Sequence, residues 1–263
     1  HGLTLQGAAT LNGEVGAQSA LATFQSNNLT VTGGLIRTAG LQTYSGPVVL
    51  LDDLRVDGEA DFAGVVSGIG GLTTLNSVIL HSVNAFQGET QVVGGELRLL
   101  GSVASKVFVA DATLTGIGTI HGDLDIGVNG LLAPTPNASQ WFTVDGKLSF
   151  DSEGGLVLQG IDAGTIGRVK AATIELNDAW LFDDLAFEPQ LGDRLIFLQS
   201  TTLSGNFADI APQEFISVGG SDALADYLRP TTGAQEFVIV GYGVGDYGDA
   251  PFDSFKSELG AAH

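Results

Sequence analysis

NAFQGETQVVGGELRLLGSVASKVFVADATLTGIGTIHGDLDIGVNGLLAP spans residues 84–134. This stretch carries the clearest strand pattern of the chain. Short apolar runs recur in it at intervals of roughly five to ten residues, and glycine or Asn-Gly separates them. Runs this short predict β-strands rather than core helices. The runs are residues 90–93, 96–100, 106–109, 112–114, 119–120 and 124–126. Because one such strand cannot bury its own apolar face, the repetition predicts a β-solenoid whose successive rungs bury one another.

The composition favours strands and turns. The chain has 263 residues, of which 44% are hydrophobic, 38 are glycine and 7 are proline. Glycine is present at twice its usual share of about 7%, without the every-third-residue period of collagen. We assign this excess to turns. The absence of cysteine excludes disulfides and thiolate chemistry.

The charge excludes several classes of partner. Thirty acidic and ten basic residues leave a net charge of −20, which repels nucleic acid and anionic membrane surfaces. No apolar run reaches the roughly 18 residues of a spanning helix, so we expect no membrane insertion of this segment. The first residues lack an initiator Met and a signal peptide, and we expect a longer precursor.

The strand pattern divides the chain into three regions. We predict β-solenoid rungs in residues 1–167, a β-rich capping region in 168–243 and an acidic, glycine-rich tail or linker in 244–263. The first 160 residues are predicted to build about seven rungs, each of roughly twenty-odd residues. One segment of the capping region, Ser221–Leu228, is predicted to be a short helix, with Ser221 as its N-cap and Pro230 beyond its end.

Several of these segments match a known repeat. Its pattern is G-T-L-x-L-x-G, then V-x-V, A-x-L-x-G-x-G-T-I-x-G-D-L and G-x-L-A-P-G. The matches are GEL at 95–97, VFV at 107–109, ATL at 112–114, GIGTI at 116–120, GDL at 122–124 and GLLAP at 130–134, with Thr135 in place of the last glycine. On these residues the chain resembles the passenger domains of bacterial autotransporters.

The resemblance continues into the capping region. The segments GD at 192–193, LIFL at 195–198 and LSGNF at 203–207 resemble the segment that closes many such passengers. The matches together span residues 84–210, about half of the chain. They imply an all-β fold, a right-handed parallel β-helix, and a location outside the cell, either secreted or on the bacterial surface. They imply nothing about activity.

The C-terminal sequence carries a second resemblance. GDYGDAP at 245–251, followed by GAAH at 260–263, is similar to the D-(F/Y)-G-D-A-P signature of very large secreted proteins of planctomycetes and related environmental bacteria. The same glycine-rich loop offers the carboxylates of Asp246, Asp249 and Asp253, and oxygen ligands of this kind suit Ca²⁺. A structural calcium site and a charged linker are the two interpretations, and we expect no other cofactor.

Another constellation offers a candidate site. Period-two spacing predicts His121, Asp123 and Asp125 on one strand face, where a metal ion or an acid/base pair would use them. In the alternative interpretation, which the repeat favours, Asp123 is a turn residue whose carboxylate accepts backbone N–H groups. Asp183 and Asp184 are likewise expected to be solvated residues at a strand border.

An enzyme of the β-helix class is the rival hypothesis. Polysaccharide lyases need basic residues beside clustered carboxylates, and hydrolases need carboxylates at a defined separation. The nearest approach to a basic cluster is Arg168 with Lys170, and no common catalytic motif is present. Five aromatic residues offer either a sugar-stacking strip or parts of the core and cap. They are Phe142, Phe150, Trp180, Phe182 and Phe187.

We therefore expect a non-enzymatic extracellular structural protein: a rigid stalk, an adhesin segment or a fibre subunit. A carbohydrate-binding or polysaccharide-degrading β-helix is the alternative, with a surface glycan as its partner. The first residues form an alternating strand with a free edge, and residues 236–242 form an apolar strand near the other end. Strand addition between these ends predicts a homopolymer, whereas pairing of residues 236–242 within the chain predicts a capped rod.

Overall fold

The computed structural model describes residues 1–228 and 233–241, and these residues form β-strands but no α-helix. All of the strands belong to one hydrogen-bonded sheet. The protein is therefore all-β, as the sequence predicts. The strands are β1 Leu3–Leu11, β2 Phe24–Arg37, β3 Gln42–Tyr44, β4 Val48–Asp57, β5 Ala60–Phe62, β6 Val66–Gly68, β7 Leu72–Thr74, β8 Val78–Leu80, β9 Val83–Phe86, β10 Thr90–Val92, β11 Glu96–Leu99, β12 Ser102–Val103, β13 Val107–Val109, β14 Thr113–Gly116, β15 Thr119–Ile120, β16 Leu124–Ile126, β17 Leu131–Pro134, β18 Phe142–Phe150, β19 Gly155–Asp162, β20 Thr165–Ile166, β21 Val169–Glu175, β22 Trp180–Leu185, β23 Arg194–Ser204, β24 Glu214–Val218, β25 Ser221–Leu228 and β26 Gln235–Gly241.

Parallel pairing organises the strands into three ladders, which the chain visits in turn. Ladder A contains β1, β2, β3, β5, β8, β11, β14, β17, β19 and β22. Ladder B contains β1, β2, β4, β6, β9, β12, β15, β18, β21 and β23. Ladder C contains β2, β4, β7, β10, β13, β16, β18, β21 and β23. The longer strands belong to more than one ladder because they bend across a corner.

The circuit from one strand of a ladder to the next is about eighteen residues long over most of the chain. Leu97 pairs with Val78, nineteen residues earlier, and with Leu114, seventeen residues later. After Leu132 the circuit lengthens, and the partner of Leu132 is Leu156. Because the circuits are shorter than the sequence suggested, nine strands of ladder A begin before residue 160, against about seven predicted rungs.

Alternate residues of each strand point into one shared core. Val107 and Val109 are buried, whereas Phe108 between them is partly exposed. The V-x-V match at residues 107–109 predicts that the two valines, rather than Phe108, point inward, and the structure confirms this prediction. The same pattern extends along the stack, and one continuous apolar cluster runs from Phe24 to Ile239.

Glycine is required where successive circuits come close at a corner. A Cβ atom on Gly116 would lie 2.0 Å from the carbonyl oxygen of Leu99, and the φ angle of Gly116 is +110°. A Cβ atom on Gly64 would lie 2.1 Å from the carbonyl oxygen of Gly46. No larger residue fits such contacts without a backbone shift, which gives part of the glycine excess a physical cause.

The C-terminal end has a different architecture. One edge of β23 pairs in parallel with β21, and the other pairs antiparallel with β26. From β26 the sheet continues antiparallel through β25 to β24. The apolar segment that was predicted either to complete the cap or to pair with a neighbouring chain corresponds to β26. Both edges of β26 pair with strands of this chain. The region bounds 1–167, 168–243 and 244–263 stay predictions.

The helix predicted at Ser221–Leu228 is wrong, because these residues form β25. Its apolar residues suit a helix and a doubly buried strand alike, and pairing on both edges with β24 and β26 decides between them. Packing supports this arrangement, since the ring of Tyr227 lies 4.9 Å from that of Phe237 on β26.

Candidate functional site

The predicted calcium ligands Asp246, Asp249 and Asp253 lie outside the described residues, as does the GDYGDAP motif. The calcium site therefore stays a prediction. Among residues 1–228 and 233–241, no group of three or more His, Cys, Asp or Glu residues is arranged to hold a metal ion.

The three residues predicted to share a strand face all point away from the core, but they have different hydrogen-bond partners. His121 Nδ1 lies 2.6 Å from Asp145 Oδ2 on the next circuit. Asp123 Oδ1 accepts a hydrogen bond of 2.8 Å from the backbone N–H of Lys147. This contact agrees with the turn interpretation of Asp123. Asp125 points instead toward a column of charges on ladder C.

That column alternates basic and acidic side chains along the outer face of ladder C. Lys106 Nζ lies 2.6 Å from Asp125 Oδ2, and Lys147 Nζ lies 3.1 Å from Glu175 Oε2. Ser149 also donates a hydrogen bond to Asp125. Each lysine is therefore paired with a carboxylate one circuit away, and the pairs tie neighbouring circuits together.

The pKa shifts in this column hold each group in its charged form. The hydrogen bond to Asp125 raises the pKa of Lys106, and the hydrogen bond to Glu175 raises the pKa of Lys147. Burial raises the pKa of Asp125, but the hydrogen bonds from Lys106 and Ser149 outweigh burial, and the net shift is downward. Such groups exchange protons poorly near neutral pH and are suited to structural pairing rather than to general acid/base catalysis.

The two basic residues predicted as a cluster, Arg168 and Lys170, have separate roles. The Arg168 guanidinium stacks 4.9 Å from the centre of the Trp141 ring and donates hydrogen bonds to two carbonyl oxygens, those of Asn137 and Ala138. It thereby anchors the loop of residues 135–141. Lys170 instead lines an open groove of about 600 Å³ on ladder B.

The five aromatic residues considered for sugar stacking do not form one strip. Phe142 and Phe150 are buried in the core, and Phe187 is half-buried. Trp180 is 48% exposed and Phe182 is 45% exposed. Both lie on β22, the last strand of ladder A, where two-residue spacing puts them on the same outward face.

We call this surface the aromatic face, and it consists of Trp180, Phe182, Asp184, Val157 and Gln159. Val157 pairs with Phe182 and Gln159 pairs with Asp184 in the register of β19 with β22. Gln159 Nε2 donates a hydrogen bond of 3.0 Å to Asp184 Oδ2. Two aromatic rings therefore lie beside a polar amide and carboxylate pair.

Glycine forms the floor of the aromatic face. A Cβ atom on Gly155 of β19 would lie 2.6 Å from a ring carbon of Phe182. The missing side chain lets the Phe182 ring lie against the strand. The residues of this surface come from two strands that the sequence separates by about twenty-five positions, and the alternation W-x-F-x-D in WLFDDL is the signal that would have found one half of it.

Asp183 and Asp184 were expected at a strand border, and this expectation is wrong. Both residues lie inside β22 rather than at its border, and they point to opposite faces. Asp183 Oδ2 accepts a hydrogen bond of 2.6 Å from the backbone N–H of Gly219, which links the last ladder strand to the antiparallel sheet.

The fold and these surfaces define a class: an all-β protein with parallel ladders and an antiparallel C-terminal sheet. No protein-family model matches the chain, and no curated protein matches it either. The resemblances to autotransporter passengers and to planctomycete secreted proteins therefore stay predictions. None of the described residues belongs to a helix long and apolar enough to span a membrane.

Proposed function

We propose that this chain is a segment of an extracellular, non-enzymatic structural protein, folded as a right-handed parallel β-solenoid. It serves as a rigid stalk, adhesin segment or fibre subunit. The observation that carries the proposal is the stacking of ladder strands over one continuous core. Right-handed connection is the rule for consecutive parallel strands, which supports the handedness together with the autotransporter-like repeat.

Dimensions support a rigid spacer. Ten strands of ladder A, about 4.8 Å apart, span about 43 Å. Charged side chains on the outside, such as Lys106 and Asp125, pair across circuits and oppose sliding of one circuit against the next. A continuous core resists bending because interiors are close-packed.

The proposal includes self-association through the first circuit. Within the described residues β1 pairs only with β2, and no described strand pairs with its other edge. Residues 1–36 contain one charged side chain, Glu14, although the chain as a whole is strongly acidic. Native sheets commonly protect a free edge with charges, and β1 has none.

Light scattering across a range of concentrations tests this association. We expect a mass above the 27.0 kDa of one chain at high concentration. Thr4→Glu with Thr10→Glu adds two outward charges to the β1 edge and should return the mass to that of one chain. The control pair Ser152→Glu with Thr202→Glu adds the same charge at exposed positions away from β1. A parent that stays monomeric at every concentration overturns self-association and leaves a single rod.

Assays on uronate polymers test the non-enzymatic part of the proposal against the lyase alternative. We expect no unsaturated product by ultraviolet absorbance from pectate or alginate. Product that forms with the parent and disappears with Lys170→Ala would overturn the proposal, because Lys170 is the basic residue on the open groove.

A further inference from the structure

We propose that the aromatic face is a binding site for a neutral polysaccharide. The inference deepens the adhesin part of the proposed function and rests on it. Trp180 and Phe182 are about half exposed, whereas most large aromatic side chains elsewhere in the ladders, such as Phe62 and Phe86, are buried. Exposed aromatic pairs on one surface mark interaction sites more often than isolated apolar residues do.

The spacing of the rings suits an extended ligand. Residues two apart on a strand lie about 7 Å apart on the same face, so Trp180 and Phe182 form one continuous apolar surface. Val157 on β19 extends that surface beneath Phe182. The Phe182 ring lies over Gly155, and this packing holds the ring in place before a ligand arrives. A surface held in its binding conformation loses less entropy on binding.

Polar groups at one side of the rings give the surface its chemical preference. Gln159 and Asp184 offer an amide N–H, an amide oxygen and carboxylate oxygens in one hydrogen-bonded pair. Sugar rings present apolar C–H faces that stack on aromatic rings and hydroxyl rims that donate to and accept from such groups. Recognition sites of this kind combine an apolar surface with a few placed polar groups.

Charge determines which polysaccharides fit. Asp184 lies at the site, and the chain carries a net charge of −20. A uronate or sulfated polymer would meet repulsion both from Asp184 and from the whole chain. The structure therefore favours a neutral polymer over an acidic one.

Native affinity electrophoresis tests the inference. The parent chain is run in gels that contain galactomannan, mixed-linkage β-glucan or xyloglucan as neutral probes, and polygalacturonate as the acidic probe. We expect retardation by at least one neutral polymer and none by polygalacturonate. Trp180→Ala with Phe182→Ala should weaken that binding at least about tenfold, because both stacking surfaces are lost.

Two further variants separate binding from folding. Ile69→Ala with Val83→Ala removes two other exposed apolar side chains, 68% and 69% exposed, and should leave retardation unchanged. Trp180→Phe with Phe182→Tyr keeps two rings and should retain most of the binding. A melting curve for each variant checks that the fold is intact, as expected for exposed positions.

The inference is overturned if the parent is unretarded by every neutral polymer, or if the alanine pair binds as the parent does. Self-association lost in the alanine pair, without retardation by any polymer, would assign the face to a protein partner and would also overturn it. Polysaccharide binding is measured by retardation in a gel with variants on β22, whereas self-association is measured by light scattering with variants on β1. The two failures are therefore distinguishable.

Discussion

The two ends of the stack differ in how they finish the core. At the first circuit, no described strand pairs with the second edge of β1, and the inward-facing Leu3 and Leu5 stay partly exposed. At the last circuit, an antiparallel sheet covers the core, and the Phe207 and Phe237 rings meet edge to face at 5.1 Å. On ladder B, parallel repetition stops at β23, because antiparallel β26 occupies the strand edge that another circuit would need.

A hydrogen bond completes the covered end. The Tyr227 hydroxyl accepts a hydrogen bond of 2.9 Å from the backbone N–H of Phe207 and donates one of 3.2 Å to the carbonyl oxygen of Ile210. These are backbone groups of the chain as it leaves β23. The covered end therefore satisfies backbone polar groups and buries aromatic rings, whereas β1 carries no aromatic residue.

The largest expected loss of stability comes from a substitution at the end of the stack that the antiparallel sheet covers. Phe237→Ala should lower the free energy of unfolding by about 3–5 kcal/mol, because a fully buried ring is lost and leaves a cavity. Leu3→Ala at the first circuit should cost less than about 1 kcal/mol, since that side chain is already partly exposed. Urea unfolding of both variants measures the difference. Equal losses would show that the two ends contribute alike.

The next largest loss of stability is expected from a glycine substitution in the middle of the stack, which is compared with one in the first circuit. Gly116→Ala should cost about 3 kcal/mol, because the new methyl group meets the Leu99 carbonyl and the φ angle is positive. Gly7→Ala on β1 is the matched control, since nothing lies within 4 Å of its Cβ position. The control should be neutral or stabilise slightly by restricting the unfolded chain. Thermal unfolding gives both values, and a destabilised Gly7→Ala would contradict the open first circuit.

A smaller change is expected at Thr90, where a substitution should raise the free energy of unfolding. This side chain is buried, and its Oγ1 has no hydrogen-bond partner among the described residues. Thr90→Val keeps the shape and removes the unsatisfied hydroxyl, so it should stabilise the chain by about 1 kcal/mol. Thr10→Val on the exposed side of β1 should change little. Destabilisation by Thr90→Val in urea would indicate that the hydroxyl does find a partner.

The smallest expected change in stability is the loss of an ion pair in the charged column of ladder C, and it depends on pH. The lowered pKa of Asp125 means that its contribution is complete above the ordinary carboxyl pKa of 3.8 and is lost as the pH falls through the folded value. Asp125→Asn should therefore cost about 0.5–1 kcal/mol at neutral pH, and the gap to the parent should close in acid. Unfolding curves from pH 7 to pH 2 measure that gap. The exposed Glu153→Gln serves as the control, and a gap that widens in acid would refute the assignment.

Much of the ladder architecture could be predicted from the sequence. The alternation around Val107 and Val109 identified the inward face correctly, because burial on one side of a strand imposes a period of two. The two-residue strand Ser102–Val103 was missed, since pairing with neighbouring circuits rather than its own sequence defines it. The strand Ser221–Leu228 was misjudged although its partners β24 and β26 are its neighbours in the sequence. Its run of apolar residues does not distinguish a helix from a strand buried on both faces, and the two-residue turn Gly219-Gly220 before it was the signal of a hairpin.

The candidate site was harder to predict than the fold. The residues Trp180 and Phe182 were recognised as aromatic, but composition cannot distinguish them from the buried Phe142 and Phe150. Their exposure follows from their outward positions on β22, whereas Phe142 and Phe150 occupy inward positions of β18. Gly155 and Gln159 join the site only through the register of β19 with β22.

The loop of residues 135–141, anchored by Arg168 on Trp141, shows where such a chain can hold inserted residues. The circuit from Leu132 to Leu156 holds several more residues than the one before it, yet the ladder register continues across it. Added sequence leaves the stack at a corner and does not disturb the core. Insertions at corners can thus accumulate in descendants of this protein, or be grafted by design, while the ladders keep their spacing.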